Sequence, residues 1–312
     1  MPSWGQILNE INISLQRGDR NAFDSVRLKY IKALQAKTGR NLIVYASKWT
    51  SGEAQPNMVS INDEDVHAFM EAISGLNGND LDLMLHTGGG SAEATEAIVS
   101  YLRQKFQNIR VIIPQAAMSA GTMLACAADT IVMGKHSSIG PIDPQFILNT
   151  PNGIQAVPAH SIIEQFQKAQ EEISRDPKLL NSWLPMLSQY GPALIVMCQK
   201  QIEFSETTVK SWLSNYMLKG DDKTAEKIAK FLSTHDNFKT HSKHISLTEA
   251  KELGFKIQEM EADQDLQDKI LSAFHAVLLT LSSTSAVKII CNHNGNAFVK
   301  QAFIQAPIQA NR

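Results

Sequence analysis

The 312-residue sequence is poor in cysteine, in net charge and in long apolar runs, and each shortage argues against a class of protein. Cys126, Cys198 and Cys291 are scattered and odd in number, so they give no disulfide framework and no metal-ligand spacing. They suit a reducing cytoplasm, where we expect the protein to be. A formal net charge of −2 argues against binding of nucleic acid through its phosphates.

Segments that would place the chain in or across a membrane are also lacking. No run reaches the roughly 18 apolar residues of a membrane span. The first residues have no basic segment followed by an apolar one, so we expect no secretion signal.

Cofactor motifs are missing as well. Glu93 stands where a dinucleotide fingerprint needs glycine, and no Lys-Ser/Thr pair follows the glycines as a phosphate loop requires. His235, His241 and His244 share a loop, but their spacing has no matching cysteine or carboxylate set, and solvated loop histidines are the commoner outcome. We therefore expect no metal, nucleotide or organic cofactor.

What the sequence does contain is a strand that turns sharply into a helix of small residues. Ile109 to Ile113 is short and mostly β-branched, as in a buried parallel strand, and a helical pattern starts at Ser119. The first turn of a helix has unpaired N–H groups and favours negative charge, as an acyl-transfer oxyanion requires. Ser119 is thus a candidate nucleophile, although this turn alone favours a simple N-cap.

A second strand, Leu81 to His86, runs into three consecutive glycines, and a helical pattern follows from Ala92 to about Phe106. Consecutive glycines let a backbone pass close to another group and direct N–H donors at it. The stretch 88–90 is therefore either a donor site for a peptide carbonyl or oxyanion, or a tight turn.

Together these stretches resemble a known family. LDLMLHTGGGSAEATEAIVSYL, IRVIIPQAAMSAGTMLACAADTIVMGKHSSIGPIDPQ and ISLTEAKELGF are similar to the Clp-type and signal-peptide-peptidase-A clan of serine peptidases, and most similar to its serine dehydrogenase proteinase branch. The resemblance extends over roughly residues 25 to 300. It implies a ClpP/crotonase-like spiral of ββα units, whereas periodicity alone would equally allow a doubly wound sheet.

The resemblance also implies roles for individual residues. Ser119 becomes the nucleophile, and the N–H groups of Gly90 and Ala120 become the oxyanion hole. The separation 119 − 90 = 29 fits the Clp-type pattern without a gap. Gly88, Gly89 and Met118, next to these positions, are expected to contact substrate.

The general base is less well defined. Clp-type peptidases use a histidine near the positions of Pro141 to Asp143, where this chain has none. Membrane-associated archaeal relatives use a lysine that aligns with Pro158-Ala159-His160, so His160 is the candidate base. The alternative is that His160 flanks a helix and faces solvent. Asp143 either orients the histidine as the third member of a triad or caps a turn.

Three further residues are second choices for the base. His241 and His244 belong to the loop that precedes the ISLTEAKELGF stretch, and either could reach the active site. Lys168 is a weaker candidate, because it also fits a solvated helix surface.

The alternation of strands and helices predicts an α/β domain with parallel strands. We expect an N-terminal arm over 1–20 and a catalytic domain over 21–260 with a helical insertion at about 161–232. A C-terminal helix and hairpin over 261–312, with Asn294-Gly295 at the turn, would serve in oligomerisation or capping. The stretch 145–157 has little periodicity and is expected to be a loop that could close over substrate.

The prediction is a serine endopeptidase that cleaves polypeptides through an acyl-enzyme on Ser119. The alternatives are an esterase or thioesterase using the same serine, or a catalytically silent scaffold with the same fold. Because the clan forms rings or stacked trimers, a homo-oligomer is expected by resemblance. The sequence does not specify whether an ATPase partner delivers the polypeptide.

Overall fold

A seven-stranded mixed sheet organises the part of the chain that the computed structural model describes, residues 3–150 and 153–302. The strands of the described residues are β1 (Asn41–Ser47), β2 (Asp80–His86), β3 (Asn108–Ile113), β4 (Ala116–Ala117), β5 (Thr130–Met133), β6 (Ser138–Ile139), β7 (Gln145–Thr150), β8 (Gly153–Pro158), β9 (Ile245–Ser246), β10 (Ile257–Glu259), β11 (Ala286–Asn292) and β12 (Ala297–Gln301). The order in the main sheet is β10-β5-β3-β2-β1-β11-β12.

Helices cover both faces of this sheet. The α-helices of the described residues are α1 (Trp4–Gln16), α2 (Ala22–Thr38), α3 (Pro56–Val59), α4 (Glu64–Ile73), α5 (Ala92–Lys105), α6 (Ala120–Cys126), α7 (Ala159–Arg175), α8 (Leu180–Leu187), α9 (Leu194–Asn215), α10 (Asp222–Ser233), α11 (Leu247–Leu253) and α12 (Gln264–Ser283). Helices α4, α5, α6, α9 and α10 pack on one face, and α2 and α12 pack on the other.

The strands from β10 to β1 are parallel, and β1, β2, β3 and β5 are largely buried on both faces, as the apolar runs in the sequence predict. In β2, Leu83 and Leu85 belong to the core under α4 and α5, whereas Met84 packs on the side of α2 and α12. The predicted α/β class is confirmed.

A second, smaller sheet gives the fold its repeating unit. Strand β3 is followed by β4 and then α6, and β5 is followed by β6. The two short strands pair with each other in parallel, and β9 pairs antiparallel with β6. Strands β3 and β5 of the main sheet thus continue into short strands of the second sheet, the ββα pattern that the resemblance implies.

The C-terminal helix and hairpin lie within the main sheet assembly. Strand β11 pairs antiparallel with β1, β12 forms the sheet edge, and α12 packs against α2. A segment that the sequence presented as an addition to the core therefore completes its sheet. The ends of the expected terminal elements, residues 1–2 and 303–312, lie outside the described residues.

The expected loop at 145–157 instead forms the antiparallel hairpin β7–β8, whose turn residues 151–152 lie outside the described part of the chain. The predicted helical insertion corresponds to α7 to α10. Among the residues that the structure describes, no helix has the length and apolar content needed to cross a membrane.

Candidate active site

Ser119 occupies a strained turn between β4 and α6. Its backbone has φ 52° and ψ −120°, a conformation that side-chain-bearing residues rarely adopt and that costs about 1–3 kcal/mol. The turn is fixed against the end of β2 by two backbone hydrogen bonds: Thr87 N–H donates to Ala116 over 3.2 Å, and Met118 N–H donates to Thr87 over 3.0 Å. The carboxyl ends of β2 and β3 therefore meet at Ser119.

The triple-glycine loop lies directly against this turn. A Cβ atom on Gly89 would stand 2.6 Å from the Ser119 Cβ and 2.8 Å from the Met118 carbonyl oxygen. On Gly90 it would stand 2.2 Å from the carbonyl oxygen of Ile61. Both glycines also have positive φ, 105° and 155°, so no other residue fits at either position without moving the backbone.

Two backbone N–H groups beside Ser119 are available to a ligand. The Gly89 N–H donates to Thr87 Oγ1 over 3.1 Å and is therefore occupied. The N–H groups of Gly90 and of Ala120, the first residue of α6, have no acceptor among residues 3–150 and 153–302. An oxyanion is the kind of group that would accept both hydrogen bonds.

Ser119 opens into a cavity of about 1000 Å³. Its floor comprises the glycine loop with Ala120 and Met123, and the hairpin β7–β8 forms one wall through Phe146, Ile147, Ile154 and Ala156. Glu93 and Gln201, which hydrogen-bond to each other over 2.7 Å, line it as well. The Gln201 amide contributes most to holding the pKa of Glu93 below its ordinary value.

One histidine, His241, lines the cavity among the residues that the structure describes, and its side chain is 26% exposed. Its Nδ1 lies 2.7 Å from Oδ1 of Asp143, a carboxylate that is completely buried. Because an ionised carboxylate can only accept, Nδ1 carries the proton and Nε2 is left as a basic nitrogen. A carboxylate that holds a histidine by Nδ1 is one component of a serine hydrolase triad.

Asp143 has two further partners. Nδ1 of His235 lies 2.8 Å from Oδ2 of Asp143, and the Gln145 side-chain amide donates to the same oxygen over 3.0 Å. The carboxylate is thus fixed from three directions. The sequence contained the signal for His235 in its cluster of loop histidines, but nothing in the spacing linked that cluster to Asp143.

The other candidates for the base lie elsewhere. His160, the first choice from the sequence, lies in the first turn of α7 and does not line the cavity. Its Nδ1 is buried without a partner among the described residues, and burial lowers its pKa. His244 is exposed and bonded to Ser138 Oγ over 2.7 Å, and Lys168 is exposed on α7.

The expected substrate contacts divide in a similar way. Gly88 and Gly89 line the cavity. Met118 is buried, and its side chain packs against Gly140, where a Cβ atom would stand 2.6 Å from the methionine Cε. Within residues 3–150 and 153–302, no group of three or more histidine, cysteine, aspartate or glutamate side chains is arranged to hold a metal ion.

Sequence comparison extends these observations. A profile of the family described as ClpP-like SDH-type serine proteinases matches residues 19–271. Two uncharacterized proteins of Methanocaldococcus jannaschii are similar: one is 30% identical over 235 residues, covering 74% of this chain and 71% of its own length. The other is 28% identical over 234 residues, covering 74% of this chain and 73% of its own length.

Similarity to solved structures is weaker. Two mutants of the 1510-N membrane-bound stomatin-specific protease align with TM-scores of 0.39 and 0.40 at 17% and 15% identity. They cover 67% and 80% of this chain and 79% and 90% of their own, and the second is in complex with a substrate peptide. A mutant of ClpP1 from Listeria monocytogenes aligns with a TM-score of 0.34 at 15% identity, over 75% of this chain and 99% of its own.

Proposed function

The chain belongs to the ClpP-like SDH-type serine proteinases, and from this premise we propose that it is a serine peptidase acting on polypeptides through an acyl-enzyme on Ser119. The carrying observation is that a strained serine, a carboxylate-bound histidine and two backbone amides without an acceptor among the described residues border a single cavity. Each is a separate requirement of acyl transfer, and their coincidence is hard to explain by packing alone.

The reaction follows from these positions. Ser119 Oγ attacks the peptide carbonyl carbon while Nε2 of His241 takes the hydroxyl proton, and Asp143 stabilises the imidazolium. The carbonyl oxygen, now negative, accepts hydrogen bonds from the N–H groups of Gly90 and Ala120. His241 then gives its proton to the leaving amine as the C–N bond breaks, and water hydrolyses the remaining ester by the same steps in reverse order.

Occupancy of the amides supports Gly90 over Gly89 as the oxyanion donor, because the Gly89 N–H is already bonded to Thr87. Position supports His241 over His160 as the base, because only His241 of the two lines the cavity. Ser119 Oγ makes no hydrogen bond to any residue that the structure describes, so the proton-transfer contact has still to form. Catalytic hydrogen bonds often tighten only when substrate is bound, and His241 lies in an irregular segment before β9.

The test is covalent labelling with a fluorophosphonate probe, located by peptide mapping. Wild-type protein should be labelled at Ser119, and Ser119→Ala should lose both the label and the peptidase activity, by a factor on the order of 10⁵ to 10⁶. Thermal melting of the same variant controls for folding. Labelling that persists in folded Ser119→Ala would contradict the assignment.

The substrate class needs a second assay, since an esterase would react with the same probe. Denatured casein and a peptide library should be cleaved. Short acyl esters or thioesters should show no higher kcat/KM than the peptides. Turnover of the esters alone would favour the esterase alternative. A protein that shows neither turnover nor labelling would favour a silent scaffold.

Self-association is part of the proposal. Leu180, Leu184, Val196 and Met197, on α8 and α9, are large apolar side chains that stay more than 40% exposed in the single chain. Side chains of this kind clustered on an insertion support a contact between copies. A cytoplasmic location is likewise proposed, supported by three buried cysteines that are all unpaired. Sedimentation at several concentrations would test the first point.

A further inference from the structure

We propose that a buried polar network headed by Lys288, on strand β11, positions the triple-glycine loop and with it the Gly90 amide. The inference rests on the proposed function, because it assigns a role within the same oxyanion site. Lys288, Asp65 and Tyr45 are positioning residues in this scheme, since they do not line the cavity that holds Ser119.

The network is an ion pair completed by a phenol. Lys288 and Asp65 are each 0% exposed, and Lys288 Nζ lies 2.7 and 2.9 Å from the two carboxylate oxygens. The Tyr45 hydroxyl donates to Oδ2 of Asp65 over 2.8 Å. Burial lowers the pKa of Lys288, and the Asp65 charge opposes that shift and so favours the charged ammonium.

The first connection to the loop runs through the backbone. Lys288 Nζ donates to the Ser60 carbonyl oxygen over 2.7 Å. The next residue, Ile61, donates its N–H to the Gly89 carbonyl over 2.8 Å and accepts from the Ser91 N–H over 2.9 Å. These two hydrogen bonds lie on either side of Gly90. Lys288 therefore fixes the segment at Ser60 and Ile61, and this segment fixes the oxyanion donor.

The second connection runs through side chains. The Asn62 N–H donates to Oδ2 of Asp65 over 3.1 Å, which fixes the segment just beyond Ile61. Tyr45 lies on β1, which pairs with β2, and Thr87, the residue after β2, accepts the Gly89 N–H through Oγ1 over 3.1 Å. The amide of Gly89 is thereby held away from the cavity, and the Gly90 amide is left as the donor.

Stability alone does not account for such a pair. Removing two charges from water costs several kcal/mol per ion, and well-packed apolar residues often replace a buried ion pair without loss. What apolar residues could not reproduce is directional: a donor for the Ser60 carbonyl and acceptors for Asn62 and Tyr45 at one point. Both connections end on the glycine loop, which abuts Ser119 through Gly89, so the directional requirement coincides with the site.

The experiment compares two fully buried carboxylates in one protein. Asp65→Asn, Lys288→Met and Tyr45→Phe weaken the network, whereas Asp82→Asn removes a charge from a carboxylate that is equally buried but bound to Arg40 and Arg110. For each variant we would measure the second-order rate of fluorophosphonate labelling, kcat and KM on one peptide, and the folded fraction by circular dichroism.

Per folded molecule, Asp65→Asn and Lys288→Met should lower labelling and kcat by about 10- to 100-fold, with KM changed less than about threefold. Tyr45→Phe, the mildest substitution, should lower them by about fivefold to tenfold. Asp82→Asn should change them by less than about threefold, however much it lowers the melting temperature.

Tyr45→Phe decides the matter if the charge variants do not fold. Folded Tyr45→Phe that reacts at the wild-type rate would overturn the positioning role, and so would an equal loss in Asp82→Asn. A wild-type protein that is not labelled at all would overturn the proposed function itself and this inference with it. The two failures are therefore distinct: the first leaves an active enzyme and the second leaves none.

Discussion

The two ends of the central sheet differ in whether their polar groups have hydrogen-bond partners. Near the amino ends of the parallel strands, Asp82 is fully buried, and its oxygens accept hydrogen bonds from Arg40 over 2.7 Å and from Arg110 over 2.9 and 2.7 Å. At the carboxyl ends, Ser119 has a strained backbone, and the Gly90 and Ala120 amides have no acceptor within residues 3–150 and 153–302.

The difference separates stability from chemistry. A buried group with every hydrogen bond made contributes to holding the strands together and has nothing left to offer a ligand. Strain and unpaired donors cost free energy and persist only where the rest of the structure enforces them, which is typical of active sites. In this chain the enforcing contacts are the glycine loop, Ile61 and the Lys288 network.

The largest test of the comparison concerns the base at the carboxyl end. His241→Ala should lower kcat and the labelling rate by about 1,000-fold or more, because Ser119 would lose its proton acceptor. His160→Ala is the matched variant, a histidine also close to Asp143 but outside the cavity, and should lower them by less than about tenfold. The reverse order of the two losses would return His160 to the role first expected from the sequence.

The carboxyl end should also be the acid-sensitive one. Both ring nitrogens of His86 are buried without a partner among the described residues, and burial lowers its pKa from 6.5 to about 4. Since the unfolded chain takes up this proton near pH 6.5 and the folded chain only near pH 4, stability should fall by up to about 3 kcal/mol as the pH decreases through that range.

His86→Leu should remove this part of the pH dependence, measured as the free energy of unfolding in urea at pH 7, 6, 5 and 4. Identical slopes in the variant and the wild type would show that another group is responsible.

At the amino end, Arg110→Met should lower the free energy of unfolding by about 2 kcal/mol, because Asp82 loses one of its two arginine partners. The loss should be no larger, since Arg40 still pairs with Asp82. Activity per folded molecule should stay unchanged, since Arg110 is far along β3 from Ser119. Urea denaturation and kcat on the same preparation would check this. A large loss of kcat in folded protein would remove the division between the two ends.

The smallest expected effect on stability concerns the backbone strain at Ser119. Ser119→Gly should raise the free energy of unfolding by about 1 kcal/mol while abolishing activity, because glycine accepts a positive φ without penalty. Ala193, with φ 65° at the start of α9, provides the matched control. Ala193→Gly should give a similar gain with activity unchanged, whereas a loss of stability in Ser119→Gly would show that the turn is not strained.

Much of this fold could be predicted from the sequence because its signals are local. The apolar strands 81–86 and 109–113 and the helices after them are set by periodicity, and the structure has them within a residue or two. Strands β4, β6 and β9 have only two residues each, too few to show any period. Strand β11 looked like part of a separate hairpin, because which strand it pairs with is decided by tertiary contacts.

The candidate site was only partly predictable, for the same reason. Ser119 and the glycine loop follow consecutive strands, so their meeting is implied by parallel topology. His241 and Asp143 are 98 residues apart and both lie in irregular segments, where no pattern relates them. The resemblance that pointed to His160 aligned a helix start, and a helix start fixes sequence position but not the direction of approach to the serine.

Lys288 follows the serine turn and the glycine bend in the chain, so it is synthesised after both. As the chain leaves the ribosome, the serine turn and the glycine bend are completed long before the strand that pairs with β1 has been made. A partly translated molecule would carry every reacting group and still lack the ammonium that sets the bend. On the proposed role of Lys288, hydrolytic competence therefore waits until β11 has been made and has paired with β1.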